Sequence, residues 1–152
     1  MQRVGVHAVV LAIVAVALFS TAAVALSYNA TVNGTAVEVT YEGNGTAGDP
    51  YRINGTNAEM LAELQAMNSS GAADNHFRLT ADIDAAATQG WNSGEGFHPL
   101  QGWSDGGLDG ANFTISNLSI DNASDVGVGL FGDATDIEVA NLQLADVSVT
   151  GD

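Results

Sequence analysis

Residues 113–151 carry an apolar pattern that occurs twice and restricts the fold more than any other feature of the chain. In the second copy the apolar positions advance by alternating steps of two and three, from Ile137 to Val149. A strand alternates with a period of two, so each step of three requires the backbone to turn a corner if the side chains are to stay inside. A helix is excluded because these positions would lie all around its circumference.

The first copy precedes the second by 24 residues and aligns its polar corners with those of the second. On this offset Phe113–Ile120 lies directly over Ile137–Leu144, and Asn117 lies over Asn141. Asn and Asp suit corners because they tolerate turn and left-handed conformations. Short strands joined by corners and repeated at such an interval are typical of a parallel β-solenoid. We therefore predict an all-β fold, a short parallel β-helix, and a small β-sandwich is the alternative.

The N-terminus predicts export. Arg3 precedes an apolar run over residues 4–26 that ends in the small-residue pattern Ala23-Val24-Ala25, so residues 1–25 are typical of a signal peptide. The alternative is an uncleaved membrane anchor, because the run is long enough to span a bilayer. The chain has no cysteine, so a lipid attached through cysteine is excluded. On either interpretation the rest of the chain is secreted or at the cell surface and contacts the membrane only through this segment.

The charge balance excludes some partners. The chain has 18 acidic residues against three basic ones, no lysine, and a formal net charge of −15. Binding to nucleic acid needs Lys and Arg to neutralise phosphate, so nucleic acid is excluded as a partner. Many acids without Lys or Cys resemble secreted proteins of halophilic archaea, in which concentrated salt screens the self-repulsion.

The segments between these features have local signals of their own. Residues 26–50 are predicted to be an extended, loop-rich segment, with a hairpin turn at Asn33-Gly34. Thr56 and Glu59 have the spacing of a capping box, which predicts a helix over about residues 57–68. We expect its apolar face to cap the first coil of a β-helix domain over residues 51–152. A strand follows, with Phe77 and Leu79 pointing inward.

Several blocks of the chain occur in an order that matches a known family. They are Tyr51–Ile53, Phe77–Asp84, Trp91–Leu100, Leu108–Gly110, Phe113–Ile120 and Val128–Gly132. In this order they resemble GLUG-motif surface proteins over about residues 43–151. The resemblance implies a right-handed parallel β-helix in a secreted or surface-anchored protein, as in some bacterial adhesins. This chain departs from the family pattern because it has roughly two coils in place of a long array.

Eight asparagines are followed at the second position by Ser or Thr. The seven predicted as glycosylation sites are Asn29, Asn33, Asn44, Asn54, Asn68, Asn112 and Asn122. An excess of such sequons on an exported chain indicates N-glycosylation at surface loops. Unmodified Asn-Gly-Thr turns are the alternative at Asn33, Asn44 and Asn54. Asn117 is left out because we expect it in a stacked, hydrogen-bonded corner.

Two pairs of carboxylates are candidates for catalytic or calcium-binding groups. Asp82 and Asp84 lie on the same side of a strand and have the spacing of paired carboxylates. An inward Ile83 explains that triplet without a site. Asp105 and Asp109 lie in a Gly-rich loop, but the spacing of a calcium loop with a terminal Glu is absent.

The remaining chemistry-bearing residues match no known site. His76 and His98 have no partner at metal spacing, and the Gly-x-Ser-x-Gly motif of serine hydrolases is absent. Trp91 and Trp103 could stack on sugar rings, but in so small a core a structural role is the simpler interpretation. We therefore predict no catalytic, metal or cofactor site.

The sequence thus predicts an exported, acidic module at the cell surface or envelope with a binding, adhesion or structural role. Its expected partner is a cell-surface glycan or an envelope protein. The alternative is a polysaccharide-processing enzyme, similar to a glycoside hydrolase, on the same scaffold. Uronate lyase chemistry is disfavoured because only Arg52 and Arg78 could neutralise a sugar acid. An unpaired final strand also predicts either end-to-end self-association or a shortened member of a longer family.

Overall fold

The structure is a computed structural model and describes residues 25–122 and 127–151. Short strands dominate it. The first elements are β1 (Leu26–Val32), β2 (Thr35–Tyr41), β3 (Tyr51–Ile53), helix α1 (Asn57–Ala66), β4 (His76–Leu79), β5 (Ile83–Asp84) and a 3-10 segment (Ala86–Gly94). Next come β6 (Leu100–Trp103), β7 (Gly107–Asp109), β8 (Thr114–Ser116) and β9 (Ser119–Asp121). The last are β10 (Phe131–Ala134), β11 (Glu138–Ala140), β12 (Gln143–Ala145) and β13 (Ser148–Thr150). The predicted all-β class is confirmed.

The apolar N-terminal run falls almost wholly outside the described residues. The predicted signal peptide or anchor over residues 1–25 therefore stays a prediction. Within the described part of the chain, no helix combines the length and the apolar character needed to cross a membrane.

The first two strands form the predicted hairpin. Strands β1 and β2 pair antiparallel over their full length, from Leu26 with Tyr41 to Val32 with Thr35. Asn33 and Gly34 at the turn have φ angles of 48° and 71°. Two residues with positive φ make a turn whose twist matches that of the strands, and Asn-Gly favours it.

Helix α1 begins at the predicted capping box. The Glu59 amide donates to the Thr56 hydroxyl at 3.4 Å, and the Glu59 carboxylate accepts from the Thr56 amide at 2.7 Å. Both bonds satisfy amide groups that have no partner within the helix. The helix ends at Ala66, with Met67 as its C-cap, slightly before the predicted end. Met60, Leu61, Leu64 and Met67 are all buried.

All the other strands pair parallel. Their order is β3-β4-β7-β11 in one sheet, β5-β8-β12 in a second, β9-β13 in a third and β6-β10 in a fourth. Strands β10–β13, which we call the final layer (residues 127–151), lie one for one beside β6–β9, the preceding layer (residues 100–122). The two segments are therefore not the antiparallel partners of the small sandwich that was the alternative.

The predicted register between the layers is wrong by one strand. Leu144 pairs with Ile115 and Val149 with Ile120, an offset of 29 residues rather than 24. Asn141 lies beside Asn112 rather than beside Asn117. The backbone N–H of Asn112 donates to the backbone carbonyl of Asn141. The apolar positions recur every five residues within each layer, so a shift of five superposes nearly the same pattern. The sequence repeat alone therefore does not fix how many strands complete one layer.

The polar corners lie where the sequence predicts them. Asn117, Asn141 and Asp146 have φ angles of 57°, 52° and 51°, in the left-handed region that Asn and Asp tolerate. The Asn117 side-chain amide donates to Asp84 at 3.0 Å, and that of Asn141 donates to Asp109 at 3.0 Å. Each corner amide is thus tied to a carboxylate in the layer before it.

A row of aromatic side chains runs through the core and crosses the layers. Neighbouring ring centroids lie 5.2–6.2 Å apart along Tyr28, Tyr41, Tyr51, Phe77, Trp103 and Phe131. Such pairs contribute about 0.5–1.5 kcal/mol each beyond the area they bury. Tyr28 and Tyr41 come from the hairpin, so residues 26–50 share the core of the parallel strands. Phe77 and Leu79 point inward as predicted, each 1% exposed.

Side-chain amides close the end of the molecule that α1 covers. Each of these amides both donates to and accepts from the backbone at a strand edge: Asn57 with Asp84, Gln65 with His98, and Asn68 with Pro99 and Gln101. Asn57 and Gln65 each exchange two hydrogen bonds with the backbone of a single residue, as a neighbouring strand would. They satisfy backbone groups that would otherwise be left open at the edge of the sheets.

Candidate binding surfaces

The outward face of the four-stranded sheet carries a row of charged side chains. Arg52 on β3 is the register partner of Arg78 on β4, which is the partner of Asp109 on β7. The residues next to them in each strand are buried, so the row points to solvent by strand alternation. These arginines are the only Lys or Arg side chains in the described part of the chain.

A cavity of about 310 Å³, which we call the sheet groove, lies over Arg78 and Asp109 of this row. Its polar lining is His76, Arg78, Asp109, Glu138 and Asn141. The loop before β3 forms one wall, and Gly107 contributes no side chain to the floor. The groove therefore places donors and acceptors of hydrogen bonds side by side on three neighbouring strands.

Hydrogen bonds and charge hold the carboxylate at the centre of the groove. Asp109 pairs with the Arg78 guanidinium at 3.3 Å and accepts from the Asn141 and Ala111 nitrogens at 3.0 and 2.9 Å. These hydrogen bonds, that of Asn141 first, and the charge of Arg78 lower the pKa of Asp109. Arg52 is paired separately with Asp49 at 3.2 Å and does not line the groove.

A second cavity, of about 530 Å³, is acidic and lies between α1 and β2. Glu38, Glu59 and Glu63 line it together with Asn54. Glu63 is only 8% exposed and accepts from the backbone N–H of Asn54 at 2.7 Å. Burial raises the pKa of Glu63 to about 7. The hydrogen bond from Asn54 opposes this rise, and the neighbouring charges of Glu59 and Glu42 add to it.

Sequence reasoning missed Glu63. The available signal was its place three residues after Met60 and directly before Leu64, on the side of α1 that packs inward. The sheet groove has no signal in the sequence, because its residues come from separate strands that only the register of the sheet brings together.

The first pair of carboxylates has structural partners. Asp82 accepts from the Thr114 amide at 2.8 Å, and Ile83 between the two acids is fully buried, as the simpler interpretation predicts. Asp84 accepts from Asn117 and from the Ala86 amide, and these bonds lower its pKa. A lowered pKa keeps this carboxyl ionised, which does not suit a general acid.

The second pair is not brought together as a site. Asp105 accepts from the Gly106 amide at 2.7 Å, whereas Asp109 has its partners in the sheet groove. His98 lies 3.8 Å from Glu95, with both side chains about half exposed, and His76 lines the groove. Among residues 25–122 and 127–151, no group of three or more acidic or histidine side chains could hold a metal ion.

The two tryptophans differ in burial. Trp103 is 1% exposed and packs between Phe77 and Phe131, so its ring does not reach a ligand at the surface. Trp91 is half-buried against the core and lies in the 3-10 segment.

The structure divides the predicted glycosylation sites into two groups. Asn29, Asn33, Asn44 and Asn112 are exposed, and among the described residues their side-chain nitrogens donate no hydrogen bond. Asn44 accepts from the Thr46 hydroxyl of its own sequon at 2.6 Å. Asn68 is exposed but uses its side-chain amide at the strand edge, Asn54 is half-buried with its amide on Glu42, and Asn122 is 7% exposed. Asn117 holds the corner bond to Asp84, with Asp84 rather than Asn141 as its partner.

Comparison with known proteins gives one curated relative. The chain is 48% identical over 129 residues to Halomucin from Haloquadratum walsbyi, a halophilic archaeon. The matched region covers 78% of this chain and about 1% of the length of Halomucin. No model of a protein family matches the chain, and no solved structure matches it. The resemblance to GLUG-motif proteins therefore stays a prediction.

Proposed function

We propose that this chain is an exported surface module of a halophilic archaeon with a structural or adhesive role. The observation that carries the proposal is the 48% identity to Halomucin, a mucin by name and a protein of a halophile. The apolar N-terminal run and the net charge of −15 support the same location and the same salty environment.

The scaffold of this module is, in our proposal, a short right-handed parallel β-helix of the GLUG type. In support, the final and preceding layers pair in parallel through four sheets, and left-handed Asn and Asp residues stand at the corners. Helix α1 caps one end through the amides of Asn57, Gln65 and Asn68. A stack of this kind holds its loops outward on a rigid support.

Glycans are part of the proposal at the sequons whose side chains are accessible. The exposed sites Asn29, Asn33, Asn44 and Asn112 are suited to modification, because their side chains reach solvent. Asn54 and Asn68 are less suited, since their side-chain nitrogens already donate hydrogen bonds, and Asn122 is less suited because it is buried.

The ligand that we propose for the sheet groove is a neutral cell-surface glycan. Sugar hydroxyls both donate and accept, and the groove offers Arg78 and Asn141 as donors beside Asp109 and Glu138 as acceptors. Two carboxylates against one guanidinium disfavour an anionic polymer. Neither Asp84 nor Asp109 suits a general acid, since hydrogen bonds hold both as carboxylates.

Binding to intact haloarchaeal cells tests the adhesive role. We expect the fluorescently labelled chain to bind cells in molar KCl and neutral oligosaccharides from the envelope to compete with it. Arg78→Gln removes the charged donor of the groove, so its binding should be at least tenfold weaker. Arg52→Gln is the matched control, because Arg52 lies on the next strand in the same row but outside the groove.

Circular dichroism of both variants verifies that they keep the fold. Equal binding by the two variants would rule out the groove as the contact. Absence of binding by the unchanged chain would contradict the adhesive role and leave the structural one.

A further inference from the structure

The final layer leaves large apolar side chains uncovered at one end of the molecule. Val139, Leu144 and Val149 are 44%, 49% and 48% exposed. Their register partners in the preceding layer are at most 1% exposed and are Leu108, Ile115 and Ile120. The difference arises because the final layer covers the preceding one and nothing among the described residues covers the final layer.

The backbone of this end is open as well. Each of β10, β11, β12 and β13 is the last strand of its sheet and pairs with a single neighbour. Such a strand offers a row of N–H and C=O groups that can pair with another chain. At the opposite end, α1 covers the strand edges with the amides of Asn57, Gln65 and Asn68. The two ends are therefore not equivalent.

We propose that the final layer is a docking surface for the final layer of a second copy of this chain. Head-to-tail stacking would require an open edge at both ends, and α1 closes one of them. A two-fold axis perpendicular to the stacking direction brings two final layers together without changing their handedness. It places Leu144 and its apolar neighbours of one copy against the same residues of the other.

The apolar contact of such a dimer would extend across the whole final layer. Its three exposed apolar side chains lie on three different strands, so contact is distributed across the layer. Open strand edges add hydrogen bonds between the two copies.

Charge makes this dimer depend on salt. The final layer carries Asp133, Asp136, Glu138 and Asp146 and no basic residue, so two copies repel each other in dilute buffer. In molar salt the screening length falls to about 3 Å, which removes most of that repulsion. We expect a monomer at low ionic strength and a dimer in molar KCl.

Sedimentation equilibrium of the chain in dilute and in molar KCl tests the proposal. Leu144→Asp places a charge in the face of each copy, so we expect its dimer to be at least tenfold weaker in molar salt. Leu26→Asp is the matched control, because Leu26 is 42% exposed but lies on the hairpin. Circular dichroism verifies that both variants fold.

Three outcomes would overturn the proposal. The first is an unchanged chain that stays monomeric in molar salt. The second is an equal dimer affinity for the Leu144→Asp and Leu26→Asp variants. The third is assembly that continues beyond the dimer, since it requires a second docking surface at the other end.

Discussion

Glu63 shows how a single carboxyl can make the fold sensitive to pH. Its side chain is buried and accepts a hydrogen bond from the backbone N–H of Asn54, and burial raises its pKa from 4.5 to about 7. Between these two values the folded chain binds more protons at this position than the unfolded chain does. The free energy of unfolding therefore falls as the pH rises through this window, by the linkage of protonation and folding.

Replacing this carboxyl should remove that pH dependence. We expect Glu63→Gln to be more stable than the unchanged chain at pH 8 by about 1–3 kcal/mol, because a neutral amide avoids the ionisation of a buried acid. At pH 4 the difference should be small. Urea unfolding in concentrated KCl at both pH values measures it, with the exposed Glu138→Gln as control. If the free energy of unfolding changed equally between pH 4 and pH 8 in Glu63→Gln and Glu138→Gln, that would be evidence against a perturbed pKa of Glu63.

The carboxylates at the corners act in the opposite direction. Hydrogen bonds from Asn117 and Asn141 lower the pKa values of Asp84 and Asp109. Stability that depends on a lowered pKa is present above the pKa of the unfolded chain and is lost as the pH falls through the folded value. The corners and Glu63 therefore respond to different ranges of pH.

Leucines in adjacent layers contribute differently to the free energy of unfolding. Leu118 in the preceding layer is 1% exposed, whereas Leu144 in the final layer is 49% exposed. Removing a fully buried leucine side chain costs about 2–5 kcal/mol, because transfer and cavity terms add.

A pair of alanine variants measures that difference. Leu118→Ala should lose about 2–5 kcal/mol of stability. Leu144→Ala should lose less than about 1 kcal/mol, because its side chain is half in water already. Chemical denaturation at protein concentrations where the chain is monomeric gives both values. Similar losses would show that the end of the final layer is covered in the monomer.

Local elements could be predicted from the sequence because their signals lie within a few residues. Asn33-Gly34 specifies its hairpin turn, and the Thr56–Glu59 capping box specifies where α1 begins. The register of the layers could not be predicted, since the five-residue apolar rhythm fits both the 24-residue and the 29-residue offset. The sheet groove depends on that register, so its residues could be found only once the strands were paired.

At the scale of the whole molecule, salt should decide how stable the chain is. It has a formal net charge of −15, and only Arg52 and Arg78 are basic in the described part. We expect the urea midpoint of unfolding to rise between dilute and molar KCl, because screening weakens the repulsion among carboxylates. Sucrose at equal osmolarity is the control for solvent exclusion. A midpoint independent of KCl, or one that sucrose raises equally, would contradict an electrostatic origin.

The row of aromatic rings places a fluorescent side chain, Trp103, at the contact between the preceding layer and the final layer. Trp103 belongs to the preceding layer and touches Phe131 of the final layer, while Phe77 flanks it on the other side. Detachment of the final strands would expose this indole to water before the rest of the core opens. In a Trp91→Phe variant, which leaves Trp103 as its single tryptophan, a red shift of the emission would therefore report the peeling of that end, and comparison with far-ultraviolet dichroism would distinguish fraying from global unfolding.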